Sequence, residues 1–189
     1  MSKHVVILYG SQYGSTRRYA EWIVQDLSAG AVDITAEAIA IDAVSPESVT
    51  AADAIIIGAS DYGGSLTGAD RLTDLASALR NTPRVFFTVS FSGLDGATQE
   101  KLDGVVAKNF GELAEGCPAY HYRGALDHTQ LSFKHKAAMV GIRTAIKAIP
   151  QKNTANRQML ESFEKQSVDY SDRQAIAPLV TEVKRLIAK

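Results

Sequence analysis

Val5-Val6-Ile7-Leu8-Tyr9 is an apolar run rich in β-branched residues that stops at Gly10. Such a run has no polar face, so as a strand it must be covered on both sides. Beyond the next loop, Tyr19, Ala20, Ile23, Val24 and Leu27 recur at helical spacing, and Gly30 closes the segment. The pattern then repeats. A second strand is expected over Ile34–Ile41, and Pro46 opens a short helical turn. Asp53–Ala59 is another apolar run ending in small residues, followed by the stripe Leu72, Leu75, Ala76 and Leu79, which Pro83 bars from continuing. Val85–Val89 is a third buried-strand candidate, with a helix expected from about Thr98 to Leu113. Ala119–Leu126 alternates with polar residues and is a weaker strand signal. Ile176, Leu179, Val180, Val183, Leu186 and Ile187 share one helical face, and Pro178 requires that helix to begin late or kink. Strand and helix alternate, which predicts an α/β fold: a three-layer, doubly wound parallel sheet.

The 189 residues suit a single domain over 1–189, and no linker divides them. A formal net charge of −1 provides no pull towards nucleic acid. Nor is it the strong negative charge expected of a carrier that docks onto basic partners. Cys117 is the only cysteine, which excludes an intramolecular disulfide and zinc sites built from two or more thiolates. Its expected role is that of a small buried hydrophobe. The apolar run near the amino terminus is too brief for a signal peptide or a membrane span, so a cytoplasmic location is the default expectation.

In a doubly wound sheet, ligands sit beyond the carboxyl ends of the strands. Three strand ends here are rich in Gly, Ser and Thr. In Gly10-Ser11-Gln12-Tyr13-Gly14-Ser15-Thr16, small residues allow a sharp turn that gathers backbone N–H groups. The hydroxyls add donors and the following helix adds its positive end. These suit a phosphate dianion; the plainer alternative is a strand–helix turn with Ser15 or Thr16 as N-cap. The spacing is neither a P-loop nor Gly-x-Gly-x-x-Gly. In Gly58-Ala59-Ser60-Asp61-Tyr62-Gly63-Gly64-Ser65 the backbone could approach a flat ring, with Tyr62 against one face; the plainer alternative is a flexible surface loop. The third end, Val89-Ser90-Phe91-Ser92-Gly93-Leu94-Asp95, places Phe91 either in the core or beside the same ring.

These loops carry a resemblance that extends over nearly the whole chain. Gly10–Thr16 resembles the phosphate loop of flavodoxins, and Gly58–Gly64 and Ser90–Gly93 fall where that family places its isoalloxazine-binding loops. The likeness is strongest to the branch containing the menaquinone-dependent protoporphyrinogen oxidases. It rests on Gly58-Ala59-Ser60, on Gly124-Ala125-Leu126 ending the last strand, and on an insertion of about 127–167 before the final helix. Where that branch carries Arg-Tyr after each motif, this chain has Tyr62-Gly63 and Asp127-His128. The resemblance implies noncovalent FMN, a five-stranded sheet of order 2-1-3-4-5, and one- or two-electron redox chemistry. It implies Ser11, Gln12, Tyr13, Gly14, Ser15 and Thr16 at the phosphate. Ala59, Ser60, Asp61, Tyr62, Gly63, Gly64, Ser90, Phe91, Ser92 and Gly93 would lie around the ring.

Within the insertion, residues 133–149 read as an amphipathic helix with Met139, Ile142, Ile146 and Ile149 on one face and Lys134, Lys136, Arg143 and Lys147 mostly elsewhere. Such a helix can pack on its own domain, the commoner outcome, or make peripheral contact with an anionic membrane or a quinone. His4, His121, His128 and His135 lack metal-ligand spacing; His128 follows the last strand and is the one expected near the flavin edge. No paired carboxylates or Ser-His-Asp order support hydrolysis. The expected function is an FMN-dependent oxidoreductase acting between a small organic or porphyrinogen substrate and a quinone or redox partner protein. The alternative is a one-electron carrier with no substrate pocket.

Overall fold

The computed structural model describes residues 2–29 and 33–188; Gly30, expected to close the first helix, lies outside them. Five parallel strands form the main sheet: β1 (Lys3–Gly10), β2 (Ile34–Ala40), β3 (Ala54–Tyr62), β5 (Arg84–Ser90) and β6 (Ala119–Arg123). Their spatial order is β2-β1-β3-β5-β6, which is 2-1-3-4-5 when these five are counted along the chain. The two-residue β4 (Ser65–Leu66) folds back antiparallel on the end of β3. Right-handed crossovers between parallel neighbours require helices on both faces. These are α1 (Ser15–Ser28), α2 (Pro46–Thr50), α3 (Ala69–Asp74), α4 (Ala76–Leu79), α5 (Gln99–Phe110) and α8 (Ala177–Ile187).

The period-two geometry of a strand sorts each apolar run between two cores. Val5, Ile7, Ile56, Val85 and Phe87 face α1 and α8, packing against Tyr19, Ile23, Leu27, Leu179 and Val183. Val6, Leu8, Ile55, Ile57 and Phe86 face the other way, onto Leu72, Leu79, Val106 and Phe110. Each fully buried aliphatic or aromatic side chain contributes about 1.5–3 kcal/mol of transfer free energy. The central strands therefore fix the sheet.

Two local expectations change, and a third is settled in favour of a late helix start. The stripe 72–79 forms two short helices, parted at Leu75, where φ and ψ of −96° and 4° leave helical values. Pro178 sits in the first turn of α8, where a missing N–H costs nothing, so the helix starts at Ala177 without a kink. The strand expected over 119–126 divides at Gly124. Its second part, β7 (Ala125–Asp127), leaves the main sheet and pairs antiparallel with β8 (Ser167–Asp169), Asp127 opposite Ser167. Between these paired ends lie α6 (Phe133–Ala148) and α7 (Thr154–Lys165).

Candidate functional site

Helix α1 begins at Gly14, whose φ of 93° is left-handed and suits glycine. Ser11 Oγ accepts the Gly14 N–H at 3.1 Å and holds the turn. No side chain caps the helix, so neither Ser15 nor Thr16 is the N-cap. The leading N–H groups of this 14-residue helix face the loop without a side-chain acceptor, and the helix dipole makes that end positive. Thr16 is wholly buried and its Oγ1 has no hydrogen-bond partner among the described residues. A buried hydroxyl in that condition costs about 1–3 kcal/mol unless something supplies the missing partner.

The second loop is a hairpin turn rather than a loose surface loop. Gly63 and Gly64 have φ of 65° and 90°, and Asp61 Oδ1 accepts the Gly64 N–H at 2.7 Å. Asn109, on α5, clamps the hairpin: its Oδ1 accepts Leu66 N–H at 3.1 Å and its Nδ2 donates to Gly64 O at 3.0 Å. Ala59 is buried in the core and Ser60 donates to Thr67 Oγ1 at 2.9 Å. In the third loop, Gly93 N–H bonds to Ser90 Oγ at 2.9 Å. Arg123 organises this loop by donating to Phe91 O (3.1 Å), Asp95 (2.6 Å) and Gln158 of α7 (2.8 Å). Its guanidinium lies 3.9 Å from the Tyr170 ring centre, and Tyr170 meets Phe91 edge-on at 5.5 Å. Phe91 is thus a border residue, not core.

The loops meet in a cleft of about 800 Å³. Ser11, Gln12, Tyr13, Ser15, Thr16, Ser60, Asp61, Tyr62, Ser90 and Phe91 line it. Gly14, Ala59, Gly63, Gly64, Ser92 and Gly93 do not; Ala59 is in the core of β3, and the others shape the turns beneath. The rest of the lining is apolar: Leu126, Leu131, Met139, Ile142 and Met159 of the insertion and its approach. Met139 and Ile142 come from the helical face expected to meet an apolar partner, whereas Leu131 and Met159 carried no signal in the sequence. The sequence reading also missed Asp169, beside Arg18 at the edge of the cleft. Burial works to raise the Asp169 pKa. The hydrogen bonds from Arg18 and from Ser171 outweigh it and hold the carboxyl below its usual value.

Two expectations about the insertion require correction. His128 is not in this cleft: its Nε2 lies 3.0 Å from Ser162 Oγ and its ring packs 4.5 Å from Phe163, both on α7. Burial lowers its pKa, favouring the neutral ring. Helix α6 is mostly unpacked. Of its expected apolar face only Ile146 is buried, Met139 is half-buried, and Ile142 and Ile149 are exposed. His135, by contrast, reaches the site's tyrosines: Tyr62 stacks on it, with ring centres 5.1 Å apart and planes 6° from parallel. Burial, and secondarily Tyr13, push the Tyr62 hydroxyl pKa well up, so it remains a phenol. Cys117 is half-buried, with Sγ 3.6 Å from Leu113 O. Among the described residues no helix is long and apolar enough to cross a membrane.

Sheet order, a helix end open to anions and aromatic rings around a cleft at the strand carboxyl ends together define a doubly wound, ligand-binding α/β protein. The chain belongs to the flavodoxin-domain family, whose model matches residues 6–168. FMN is its cofactor. Solved structures with a similar fold include oxidised flavodoxin 1 from Bacillus cereus (15% identity, 87% of this chain and 96% of that one, TM-score 0.46). Two-electron-reduced Megasphaera elsdenii flavodoxin is similar at 20% identity over 63% and 84% of the chains (TM-score 0.45). A cysteine-to-serine mutant of Pseudomonas aeruginosa flavodoxin gives 24% over 73% and 93% (TM-score 0.44). No curated protein matches the sequence. The residues present suit FMN: the buried, partnerless Thr16 hydroxyl beside an uncapped helix end is the condition a phosphate oxygen would relieve.

Proposed function

We propose that this chain is an FMN-dependent oxidoreductase that passes electrons between a small organic or porphyrinogen substrate and a quinone-like acceptor. In this reading Ser11, Ser15, Thr16 and the first N–H groups of α1 hold the phosphate, while Tyr62 and Phe91 border the ring. Tyr13, Asp61 and the Gly63-Gly64 turn fix the ring's edge. When bound, FMN supplies one- or two-electron transfer; the protein supplies binding, orientation and exclusion of water.

The observation that carries an enzyme over a carrier is the second wall of the cleft. A carrier needs only an exposed cofactor edge. Here Leu126, Leu131, Met139, Ile142 and Met159 face the loops across a space whose size lies in the upper part of the ~300–1,000 Å³ typical of small-molecule pockets. An apolar wall opposite a redox cofactor suits a flat, poorly soluble acceptor.

The composition of the insertion supports peripheral contact with an anionic bilayer. Residues 128–160 hold six cations (Lys134, Lys136, Arg143, Lys147, Lys152 and Arg157) and no acid. That is +6 on a chain of net −1, leaving −7 on the remainder. Phe133 (90% exposed) and Val140 (64%) project among these cations, a composition suited to headgroups with apolar anchors between them.

Potentiometry with a quinone-reoxidation assay tests the enzymatic reading. A single two-electron step and quinone-dependent turnover are expected. Two well-separated one-electron steps without turnover would make the protein a carrier. Failure of the FMN-loaded protein to oxidise a porphyrinogen would remove that substrate.

A further inference from the structure

His135 belongs to the insertion, 122 residues from Tyr13, yet the two meet at 2.6 Å between Tyr13 Oη and His135 Nδ1. Tyr13 Oη also accepts the Ser132 N–H at 3.1 Å, so its hydroxyl bridges the imidazole and the start of α6. The His135 ring lies flat on Tyr62, and Tyr13 meets both rings edge-on, at 5.7 Å from His135 and 6.0 Å from Tyr62. Both tyrosines line the cleft, whereas His135 does not. The imidazole therefore backs the tyrosines from outside. Its main-chain position is fixed by the helix start, where Ser132 Oγ caps α6 by accepting the His135 N–H at 3.3 Å.

We infer that His135 is a positioning residue that sets the plane of Tyr62 and the hydroxyl of Tyr13, so that seating of helix α6 and formation of the ring-binding side of the cleft are one event. The inference rests on the placement of FMN against Tyr62. The geometry suits this role. A phenol ring has a soft torsion about its bond to Cβ, and an exposed loop tyrosine with one free face would sample several tilts. A flat imidazole behind it removes that freedom, and the bond to Tyr13 fixes the imidazole in turn. Tyr13 belongs to the Gly10–Thr16 loop, so its bond to His135 ties that loop to the insertion as well.

The test uses His135→Ala and His135→Phe in the full chain, titrated with FMN by calorimetry and followed by visible circular dichroism of the bound flavin. His135→Ala removes both the stack and the hydrogen bond. Roughly tenfold or greater loss of FMN affinity is expected, with a changed dichroic band. His135→Phe keeps a flat ring behind Tyr62, so the band should return towards wild type while affinity recovers only in part. Far-UV dichroism monitors folding, and should the alanine variant not fold, the phenylalanine variant decides. Wild-type affinity and an unchanged band in a folded variant would overturn the inference. Failure of the wild-type chain itself to bind FMN would instead overturn the site assignment on which it rests.

Discussion

Ser15 Oγ accepts the N–H of Ala125 at 3.0 Å, joining the start of α1 to the strand that leaves the main sheet. The approach is close because residue 124 is glycine: a Cβ there would lie 3.0 Å from Ser15 Oγ and 2.9 Å from Val89 Cγ1. One hydrogen bond thus links the candidate phosphate loop to the base of the insertion. Ser15→Ala should lower the unfolding free energy by about 1 kcal/mol and speed hydrogen exchange at the Ala125 amide. Native exchange at that amide in the variant would show that the bond does not hold β7.

Thr16 makes a sharper prediction, because its hydroxyl is buried without a partner. Thr16→Val keeps the shape and removes the unsatisfied group, so the FMN-free protein should melt no lower than wild type. If phosphate supplies the missing acceptor, the variant should bind FMN about 1–3 kcal/mol more weakly. Calorimetric titration and thermal melts with and without FMN separate the two effects. Unchanged FMN affinity would remove Thr16 from the phosphate site.

What could be read from the sequence follows from how local each cause is. The runs at Val5, Ile55 and Val85 were legible because strands covered on both faces have no polar face to hide. The hydroxyl-rich loop at Gly10–Thr16 was legible because its chemistry lies in consecutive residues. The break at Gly124 was not, since its cause is a contact with Ser15, 109 positions earlier. Periodicity gave α6 an apolar stripe without saying whether anything covers it, and half of the stripe, Ile142 and Ile149, remains exposed. His128 drew attention by its place after the last strand, whereas His135 reaches the site only through the fold of the insertion. Arg123 and Asn109 carry no local signature at all, because their partners come from other loops.

The pair Arg18–Asp169 ties α1 to β8 and should be acid-labile. The folded-state pKa of Asp169 is depressed, so its contribution to stability is fully present above the unfolded carboxylate value of about 4. That contribution is lost as pH falls through the lower folded value. Both side chains are more than a third exposed, so the effect is small. Asp169→Asn should melt slightly below wild type at pH 7, and the two curves should converge once the pH has fallen below the lowered folded value. A gap that persists in acid would assign the difference to packing rather than charge.

The outer face of α6 predicts a salt-sensitive membrane contact that depends on both of its components. Phe133 and Val140 supply apolar anchors, and Lys134, Lys136, Arg143 and Lys147 of α6 supply attraction. Each cation near an anionic surface is worth about 1 kcal/mol at most and is screened within a Debye length. Vesicles containing phosphatidylserine should therefore sediment with the full chain at low salt and release it as salt rises. Neutral phosphatidylcholine vesicles should bind little. Phe133→Ser with Val140→Ser should weaken the salt-resistant part, because it removes the inserted apolar surface, while Lys134→Gln with Lys147→Gln should weaken the salt-sensitive part. These residues lie outside the cleft, so FMN affinity should be unchanged in both variants. Equal binding to neutral and anionic vesicles, or none to either, would leave the cationic face without a bilayer partner.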